Sequence, residues 1–326
     1  MKFAALAGAV AAHNITAEVE TEYLTYLAEH GKSYGTEEEY QFRLATFHHN
    51  QKFVANFNSK AEGADARVEL NHMADWSRSE YKKLLGYKPR PTKRQGKEAP
   101  RFVGDVPASL DWREKGAVTP VKNQGQCGSC WSFSTTGAIE GRWQIAGNTL
   151  TSFSEQQLVD CSKAEGNMGC NGGLMDDAFT YLEKNKLETE ADYGYTARDG
   201  TCKYDATKGI AGDTGFHDVT VNSPDALREA LQTGPVSVAI DASGLAFQLY
   251  HSGVMSHFCG TQLDHGVLVV GYGTESGLLG ETDYWILKNS WGAGWGEKGY
   301  FRILREQTKT GPGVCGLQSA ASYPLM

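Results

Sequence analysis

The chain has 326 residues, a formal net charge of −8, 40% hydrophobic residues and 11% aromatic residues. This length and apolar content suffice for a packed domain plus a substantial extra segment, and they exclude wholesale disorder. Residues 13–105 carry 14 Lys or Arg and 14 Asp or Glu, whereas residues 106–326 carry 16 and 25. A net-acidic body argues against nucleic acid and anionic membrane surfaces as partners.

The first twelve residues have the pattern of a short secretory signal peptide. Lys2 precedes an apolar stretch over residues 3–12, which contains the cleavage-like sequence Ala9-Val10-Ala11. The only N-glycosylation sequon begins at Asn14, close to the predicted cleavage point. No apolar stretch approaches the roughly 18 to 20 residues that span a bilayer, so we expect no membrane span.

Three helices are predicted before residue 90. Apolar residues at helical spacing indicate the first over residues 18–30. A capping box from Thr36 to Glu39 begins a long helix that extends to about Phe57, and a box from Ser77 to Glu80 precedes a short helix over residues 81–85.

One face of the long helix carries residues that recur every three or four positions: Glu39, Arg43, Phe47, Asn50, Val54 and Asn58. Glu39 and Arg43 form a favourable i,i+4 pair. The spacing alone is that of an ordinary amphipathic helix.

Residues 88–101, KPRPTKRQGKEAPR, are rich in proline and basic residues and have no hydrophobic periodicity. This composition is typical of an exposed linker that is open to proteolytic cleavage. The alternative, a nucleic-acid-binding patch, lacks the interleaved aromatic residues and the folded context that such a patch needs.

The segment QGQCGSCW, from Gln124 to Trp131, places a thiol at the start of a helix. Apolar residues at helical spacing over residues 132–146 put Cys130 near the first turn. Backbone N–H groups and the helix dipole there favour the thiolate, which is the nucleophilic form of cysteine. The alternative is a redox or zinc pair formed by Cys127 and Cys130, but no second pair of this kind completes four ligands.

Among nine histidines, His265 is placed as a catalytic base would be. It opens a buried-strand pattern over residues 267–272, and a rigid strand would hold the imidazole in one orientation. A second buried strand, residues 284–288, ends at Asn289-Ser290-Trp291-Gly292. Taken singly, these three residues also fit a structural histidine, a turn asparagine and a core tryptophan.

The remaining pattern predicts helices first and strands later. Residues 129–185 are predicted to be mainly helical, with a Ser154 capping box and a helix over 174–184. Ser223 and Pro224 begin a further helix. From about residue 235 strands dominate: 236–240, 267–272, 284–287 and 300–304.

These segments resemble those of papain-like cysteine proteases, from QGQCGSCW through LDHGVLVVGYG to NSWG. The six-residue helix face is similar to the E-R-F-N-I-N propeptide signature of the cathepsin L-like group, with Val54 in place of Ile. Asn71 and Asp75 fit a second propeptide motif, G-x-N-x-F-x-D, in part, since Glu69 and Met73 replace its Gly and Phe.

The resemblance implies an α+β, papain-like fold of two lobes, a helical left lobe and a β-barrel-like right lobe, with the active site at their seam. It implies a signal peptide over about 1–12, a helical inhibitory propeptide over 13–105 and a peptidase domain over 106–326. The product would be a cysteine endopeptidase that is made as an inactive precursor and activated at acidic pH.

The resemblance also implies catalytic roles. Cys130 is the nucleophile, His265 its partner in a thiolate–imidazolium pair, and Asn289 orients the imidazole under the cover of Trp291. The Gln124 amide and the Cys130 backbone N–H form the oxyanion hole. No metal or cofactor is expected.

Seven cysteines in a secretory chain suggest disulfides plus one free thiol, and their spacing alone leaves the pairing open. The resemblance implies the pairs Cys127–Cys170, Cys161–Cys202 and Cys259–Cys315, which leaves Cys130 free.

The substrate-binding residues implied by the resemblance include an apolar pocket, usually called S2, that favours Leu, Phe or Val at P2. Together with Trp291 they are Gly172, Gly173, Leu174, Met175, Ala239, Leu263 and Ala320. The expected partners are peptide and protein substrates, the chain's own propeptide and cystatin-like inhibitors. We expect a monomer in a lysosome or other acidic vacuole, or a secreted protein.

Two other interpretations are weighed against this one. Another Cys–His hydrolase or acyltransferase would usually have an Asp as third member, and the propeptide argues against it. An inactive relative with a structural or binding role would be expected to have lost Cys130 or His265, and both are present.

Overall fold

The computed structural model describes residues 15–63, 65–90, 96–277, 280–306 and 310–326. The predicted signal peptide and the Asn14 sequon lie outside these ranges. Within them, no helix combines the length and the apolar character needed to cross a membrane.

The N-terminal segment contains the three predicted helices: α1 (Ala17–Glu29), α2 (Glu37–Asn58) and α3 (Arg78–Lys82). The Ser77 hydroxyl accepts from Glu80 N and the Glu80 carboxylate accepts from Ser77 N, so this capping box is complete. Thr36 caps α2 by accepting from Glu39 N. The return half of that box is absent from the described contacts, because the Glu39 carboxylate binds Arg43 instead.

A buried carboxylate joins the helices of this segment to one another. Asp75 is fully buried and accepts hydrogen bonds from the hydroxyls of Tyr26 (3.1 Å) and Tyr34 (2.5 Å) and from the Lys32 ammonium. Around it, aromatic side chains form a small core that also includes Leu249 of the C-terminal part. The segment is therefore a folded unit packed on the body of the protein.

The left lobe is helical, as expected. It contains α4 (Cys130–Ile145), α5 (Glu155–Cys161) and α6 (Met175–Leu182), with short 3₁₀ turns at Ser162–Glu165 and Gly169–Asn171. The helix α4 is buried along most of its length, since it lies between the other helices and the sheet of the right lobe.

The right lobe is built on strands, with two helices, α7 (Pro224–Leu231) and α8 (Leu245–Gln248), and a 3₁₀ turn at Val314–Gly316. In chain order the strands of the protein are β1 (Arg67–Val68), β2 (Lys97–Glu98), β3 (Leu110–Asp111), β4 (Phe216–Asp218), β5 (Val236–Ile240), β6 (Tyr250–Ser252), β7 (Val254–Met255), β8 (His265–Gly277), β9 (Gly280–Lys288), β10 (Tyr300–Leu304) and β11 (Ala321–Pro324). Residues 278 and 279 between β8 and β9 are not among those described.

The main sheet has the order β2-β4-β11-β5-β8-β9-β10-β7, and β3 pairs with β8. This order of described strands has two ends, so the expected β-barrel-like lobe is an open sheet and not a closed barrel. The N-terminal segment covers both ends. It supplies β2 at one end, and at the other end Ala66 N donates to Val254 O (3.1 Å).

All seven cysteines lie within the described residues. Disulfides join Cys127 to Cys170, Cys161 to Cys202 and Cys259 to Cys315, which are the pairs that the resemblance implied. Cys130 is the free cysteine, and it is buried.

Candidate active site

The thiol of Cys130 and the imidazole of His265 are brought together where α4 meets β8. Cys130 is the first residue of α4 and His265 the first residue of β8. The next strand residue, Gly266, donates its backbone N–H to Cys130 Sγ at 3.3 Å. A Cβ atom at Gly266 would lie 3.3 Å from the backbone of Trp131, so a glycine lets the strand approach the helix this closely.

Asn289 fixes the orientation and the tautomer of His265. Its Oδ1 lies 2.8 Å from His265 Nε2 and also accepts from Ser290 N at 2.8 Å. Because Oδ1 is thus an acceptor, Nε2 carries the imidazole proton and Nδ1 is left with a lone pair. Nδ1 has no hydrogen-bond partner among the described residues.

The Trp291 ring shields this hydrogen bond from water. Its centroid lies 4.8 Å from that of His265, with the two rings inclined by 32°. His265, Asn289 and Trp291 are all buried.

Gln124 presents its amide N–H₂ towards the cleft. Its Oε1 accepts from Ser290 Oγ (2.7 Å) and from Trp291 Nε1 (3.1 Å), so the opposite end of the amide is fixed as a donor. Nε2 donates to Cys127 O (2.7 Å) and to Leu84 O (2.9 Å). Gln124 is fully buried beneath these contacts.

The carbonyl of Leu84 belongs to a stretch of the N-terminal segment, residues 84–88, that lies across the cleft; we call it the cleft strap. Gly173 N donates to Gly86 O (2.9 Å), Lys88 N donates to Gly173 O (3.3 Å), and Tyr87 N donates to Asp264 O (2.9 Å). The Gly86 backbone N–H lies close enough to the Cys130 thiol to favour its ionised form. The strap therefore touches the predicted nucleophile and both sides of the cleft.

Gly86 is the point of closest approach between the strap and the left lobe. A Cβ atom there would lie 1.8 Å from Gly128 O and 2.4 Å from Gly128 C, and both are backbone atoms that a side-chain rotation cannot move. Only glycine therefore fits at this position of the strap.

Tyr87 of the strap is buried among apolar side chains. Tyr87 is 4% exposed and belongs to a hydrophobic cluster with all five predicted pocket residues: Leu174, Met175, Ala239, Leu263 and Ala320. Gly172 and Gly173 lie beside the strap, since a Cβ atom at Gly172 would be 2.6 Å from Gly86 O.

Burial favours the neutral forms of these two side chains. It raises the pKa of the Cys130 thiol to about 11 and lowers the pKa of His265 to about 4.

A cluster of buried charges lies behind the site. Lys122 Nζ binds Glu140 Oε1 (2.9 Å) and Glu155 Oε1 (2.6 Å), and Lys288 Nζ donates to Thr119 Oγ1 (2.9 Å). Burial raises the pKa of Glu155 and lowers that of Lys288 to about 8. A cavity of about 20 Å³ between these residues also borders Asn289.

Sequence reasoning missed the cleft strap. The apolar run Leu84-Leu85-Gly86-Tyr87, a few residues after the Ser77 capping box, is the sequence signal for this strap. In the sequence-based prediction, its first two residues form the end of a helix. The linker prediction is also partly wrong, since Lys97–Glu98 form a strand beside Phe216–Asp218. Likewise, Arg43 binds not only Glu39 but also both oxygens of Glu80, at 2.6 Å each.

Comparison with known proteins agrees with this geometry. Residues 106–325 match the papain family of cysteine proteases, and residues 23–81 match the cathepsin propeptide inhibitor domain. The chain therefore belongs to the papain family of cysteine proteases. Its inhibitor domain and its similarity to cathepsin L proteins identify it as a cathepsin L-like cysteine endopeptidase that is made as a proenzyme.

The similar proteins include procathepsin L of Mus musculus, which is 42% identical over 311 residues that cover 94% of this chain and 92% of that protein. Cathepsin L of Sarcophaga peregrina is 44% identical over 324 residues, covering 94% and 93% of the two chains. The solved structure of digestive procathepsin L 3 of Tenebrio molitor larval midgut is 38% identical, with a TM-score of 0.82, and covers 95% of this chain and 100% of that one.

Proposed function

We propose that Cys130 is the nucleophile, His265 the general acid and base, Asn289 its positioning residue and Gln124 an oxyanion donor. The observation that carries this assignment is the Gln124 amide, whose Nε2 donates to a strap carbonyl beside the buried thiol. A substrate carbonyl that replaces Leu84 O would accept a hydrogen bond from the same donor, Gln124 Nε2.

The proposed reaction follows from these positions. The Cys130 thiolate attacks the carbonyl carbon of the scissile bond, and the resulting oxyanion accepts from Gln124 Nε2 and the Cys130 backbone N–H. The His265 imidazolium gives its proton to the leaving amine, which leaves a thioester. His265 then takes a proton from water, the hydroxide attacks the thioester, and the acid product and the thiolate are released.

Removal of the strap would create the ion pair that this reaction needs. Solvent access removes the burial that raises the pKa of Cys130 and lowers that of His265. Each ion then also stabilises the other, and the N-terminus of α4 favours the thiolate.

The strap would resist cleavage because it runs opposite to a substrate. In a substrate, the P2 residue precedes the scissile bond. In the strap, Tyr87 occupies the proposed S2 pocket but follows Gly86, which lies on the thiol. The carbonyl carbon next to Cys130 is therefore presented in the reverse chain direction.

The proposed S2 pocket selects apolar P2 residues. Its walls are apolar, and Ala320 at its floor offers no charge to a guanidinium. Burying a Leu or Phe side chain gains about 1.5 to 3 kcal/mol, whereas an unpaired guanidinium costs several. The tyrosine already seated there supports this preference.

We place the domain boundaries at 13–105 for the propeptide and 106–326 for the peptidase, with cleavage between residues 90 and 105. The disulfides and the propeptide support passage through the secretory pathway. The finer proposal is a monomer of a lysosome or other acidic vacuole, or of the medium, that cystatin-like proteins inhibit.

The test compares activated wild type with Cys130→Ser on an internally quenched peptide that has Leu at P2. We expect cleavage by the wild type and only background hydrolysis by the variant. Turnover by a variant preparation that is free of other proteases would exclude Cys130 as the nucleophile.

A further inference from the structure

Beyond the Tyr87 pocket, the N-terminal segment places an arginine on a buried carboxylate of the left lobe. Arg90 forms an ion pair with Asp177 through Nη2, and its Nη1 donates to Gly166 O at 3.5 Å. The Asp177 side chain is 0% exposed, whereas that of Arg90 is 35% exposed. The guanidinium thus covers a carboxylate that belongs to the peptidase domain.

Two glycines of the left lobe lie against basic side chains of the N-terminal segment. A Cβ atom at Gly166 would lie 2.2 Å from Arg90 Nη1, and one at Gly172 would lie 2.6 Å from Lys88 Cγ. The absence of side chains at both positions leaves room for long basic side chains against the backbone. The left lobe therefore has a shaped place for such a side chain, with an acceptor at its end.

Asp177 lies in the first turn of α6, two residues after Met175 of the proposed S2 pocket. Arg90 lies three residues after Tyr87, so this place is farther from Cys130 than S2 is. In a substrate, which runs in the opposite direction, the corresponding residues precede P2. Lys88, Pro89 and Arg90 then correspond to P3, P4 and P5.

We propose that release of the propeptide opens a subsite at Asp177 and Gly166 O that binds an arginine or lysine side chain of a peptide substrate at P5. The subsite rests on the proposed direction of binding and on the S2 assignment. Arg90 occupies it in the precursor, and the peptidase domain, with 16 basic and 25 acidic residues, attracts basic peptides in general.

The subsite gives the enzyme two opposite responses to arginine. At P2 a guanidinium would enter an apolar pocket that ends at Ala320, whereas at P5 it would pair with a carboxylate. An exposed ion pair contributes little to binding, whereas an ion pair with a buried carboxylate contributes more. We therefore expect kcat/KM to be about five- to tenfold higher for Arg than for a neutral side chain of the same shape.

The experiment uses activated enzyme and fluorogenic pentapeptides with Leu at P2 and Arg at P1. At P5 the residue is Arg, its neutral isostere citrulline, or Glu. We expect kcat/KM for Arg to exceed that for citrulline about five- to tenfold. The ratio should fall when the salt concentration is raised from 50 to 500 mM.

Asp177→Asn should reduce the Arg to citrulline ratio to about one by lowering kcat/KM for Arg. Glu183→Gln is the matched control, because Glu183 is an exposed acid at the end of the same helix, and it should keep the wild-type ratio. The comparison of the three substrates on the wild-type enzyme tests the subsite even if the Asp177→Asn protein misfolds.

Equal kcat/KM for Arg, citrulline and Glu at P5 would overturn the subsite. So would an Arg preference that Asp177→Asn retains. Failure of the proposed function is distinguishable, because activity would then be absent even on the peptides with citrulline.

Discussion

The side-chain amide of Gln124 donates to the backbone carbonyl of Leu84 over 2.9 Å. The donor proposed for the substrate oxyanion is thus already occupied by the N-terminal segment. The same segment places Gly86 beside the Cys130 thiol and buries Tyr87 in the hydrophobic cluster that contains the proposed pocket residues. One continuous stretch of chain therefore lies against three elements of the proposed site.

Gly86→Ala should release this inhibition. The added methyl group would lie 1.8 Å from Gly128 O, so the strap has to move away from the cleft. We expect the separately added propeptide carrying the change to inhibit the activated enzyme at least about tenfold more weakly. Gly35→Ala is the control, because a Cβ atom there meets nothing within 4 Å. Equal inhibition constants for the two variants would contradict the tight approach at Gly86.

Asn289→Ala should impair catalysis less than His265→Ala. Without the 2.8 Å bond to Asn289 the imidazole loses its orienting partner, but Trp291 still packs on the ring. We expect kcat to fall about 10²-fold for Asn289→Ala and about 10⁴-fold or more for His265→Ala. Activated enzymes, titrated for correctly folded sites, are compared on one substrate. The reverse order of the two losses would be inconsistent with the positioning role.

Propeptide release should occur as the pH falls from about 6.5 towards 4. Burial, with the nearby Lys32 charge, lowers the pKa of His72 from 6.5 to about 4. Since the unfolded segment binds this proton more readily, the folded segment loses stability over that interval. His265 acts in the same sense, whereas Asp264, whose pKa burial raises to about 6, acts in the opposite sense.

His72→Gln should therefore move the midpoint of self-processing to lower pH by about half a unit. His49→Gln, a change at an exposed position of α2, is the control. Precursors are incubated across a pH series and the new N-terminus is sequenced. An unchanged midpoint in His72→Gln would remove His72 from the account.

Glu80 contributes in a lower pH range. Its hydrogen bonds with Arg43 lower its carboxyl pKa from 4.5 to about 2, against the opposing effect of burial. Its stabilisation is therefore present above about pH 4.5 and lost as the pH falls towards 2.

Lys122→Met should destabilise the peptidase domain strongly. The change leaves Glu140 and Glu155 buried without the cation that both bind, at 2.9 and 2.6 Å. Loss of one partner from a buried ion pair costs about 3 to 5 kcal/mol. The measurement is urea unfolding in a Cys130→Ala background, which prevents self-digestion, with exposed Lys163→Met as the control. A change below about 1 kcal/mol would show that the cluster does not need its cation.

The P2 preference is tested with Phe-Arg and Arg-Arg dipeptide substrates, which differ only at P2. We expect kcat/KM to be at least about tenfold higher for Phe-Arg, because the pocket is apolar. Ala320→Glu should raise the activity on Arg-Arg by placing a carboxylate at the pocket floor. Similar kcat/KM values on both substrates with the wild-type enzyme would exclude this pocket.

Local sequence signals predicted the elements that carry the site. The helix that begins at Cys130 and the strand near His265 follow from residue periodicity, and the Ser77 cap follows from a side chain that satisfies backbone N–H groups. These features depend on neighbours within a few positions. The catalytic assignment itself came from resemblance, since His265 and Asn289 each have ordinary structural alternatives.

Long-range contacts were not predictable in this way. Arg90 lies 87 residues from Asp177, and nothing near either residue indicates the other. The open sheet was not predictable for the same reason. Its two ends pair with residues 65–66 and 97–98 of the N-terminal segment, which are far away in the sequence. Strand alternation determines which face of a strand is buried but does not determine whether the last strand meets the first.

Titration with an active-site-directed epoxide, followed by mass spectrometry, tests the central claim most directly. We expect the activated enzyme to take up one equivalent on Cys130 and to lose peptidase activity in proportion. The intact precursor at neutral pH should take up none, because the strap covers the thiol. Activity that persists after full labelling of Cys130, or labelling of the precursor at the same rate as the activated enzyme, would contradict this account.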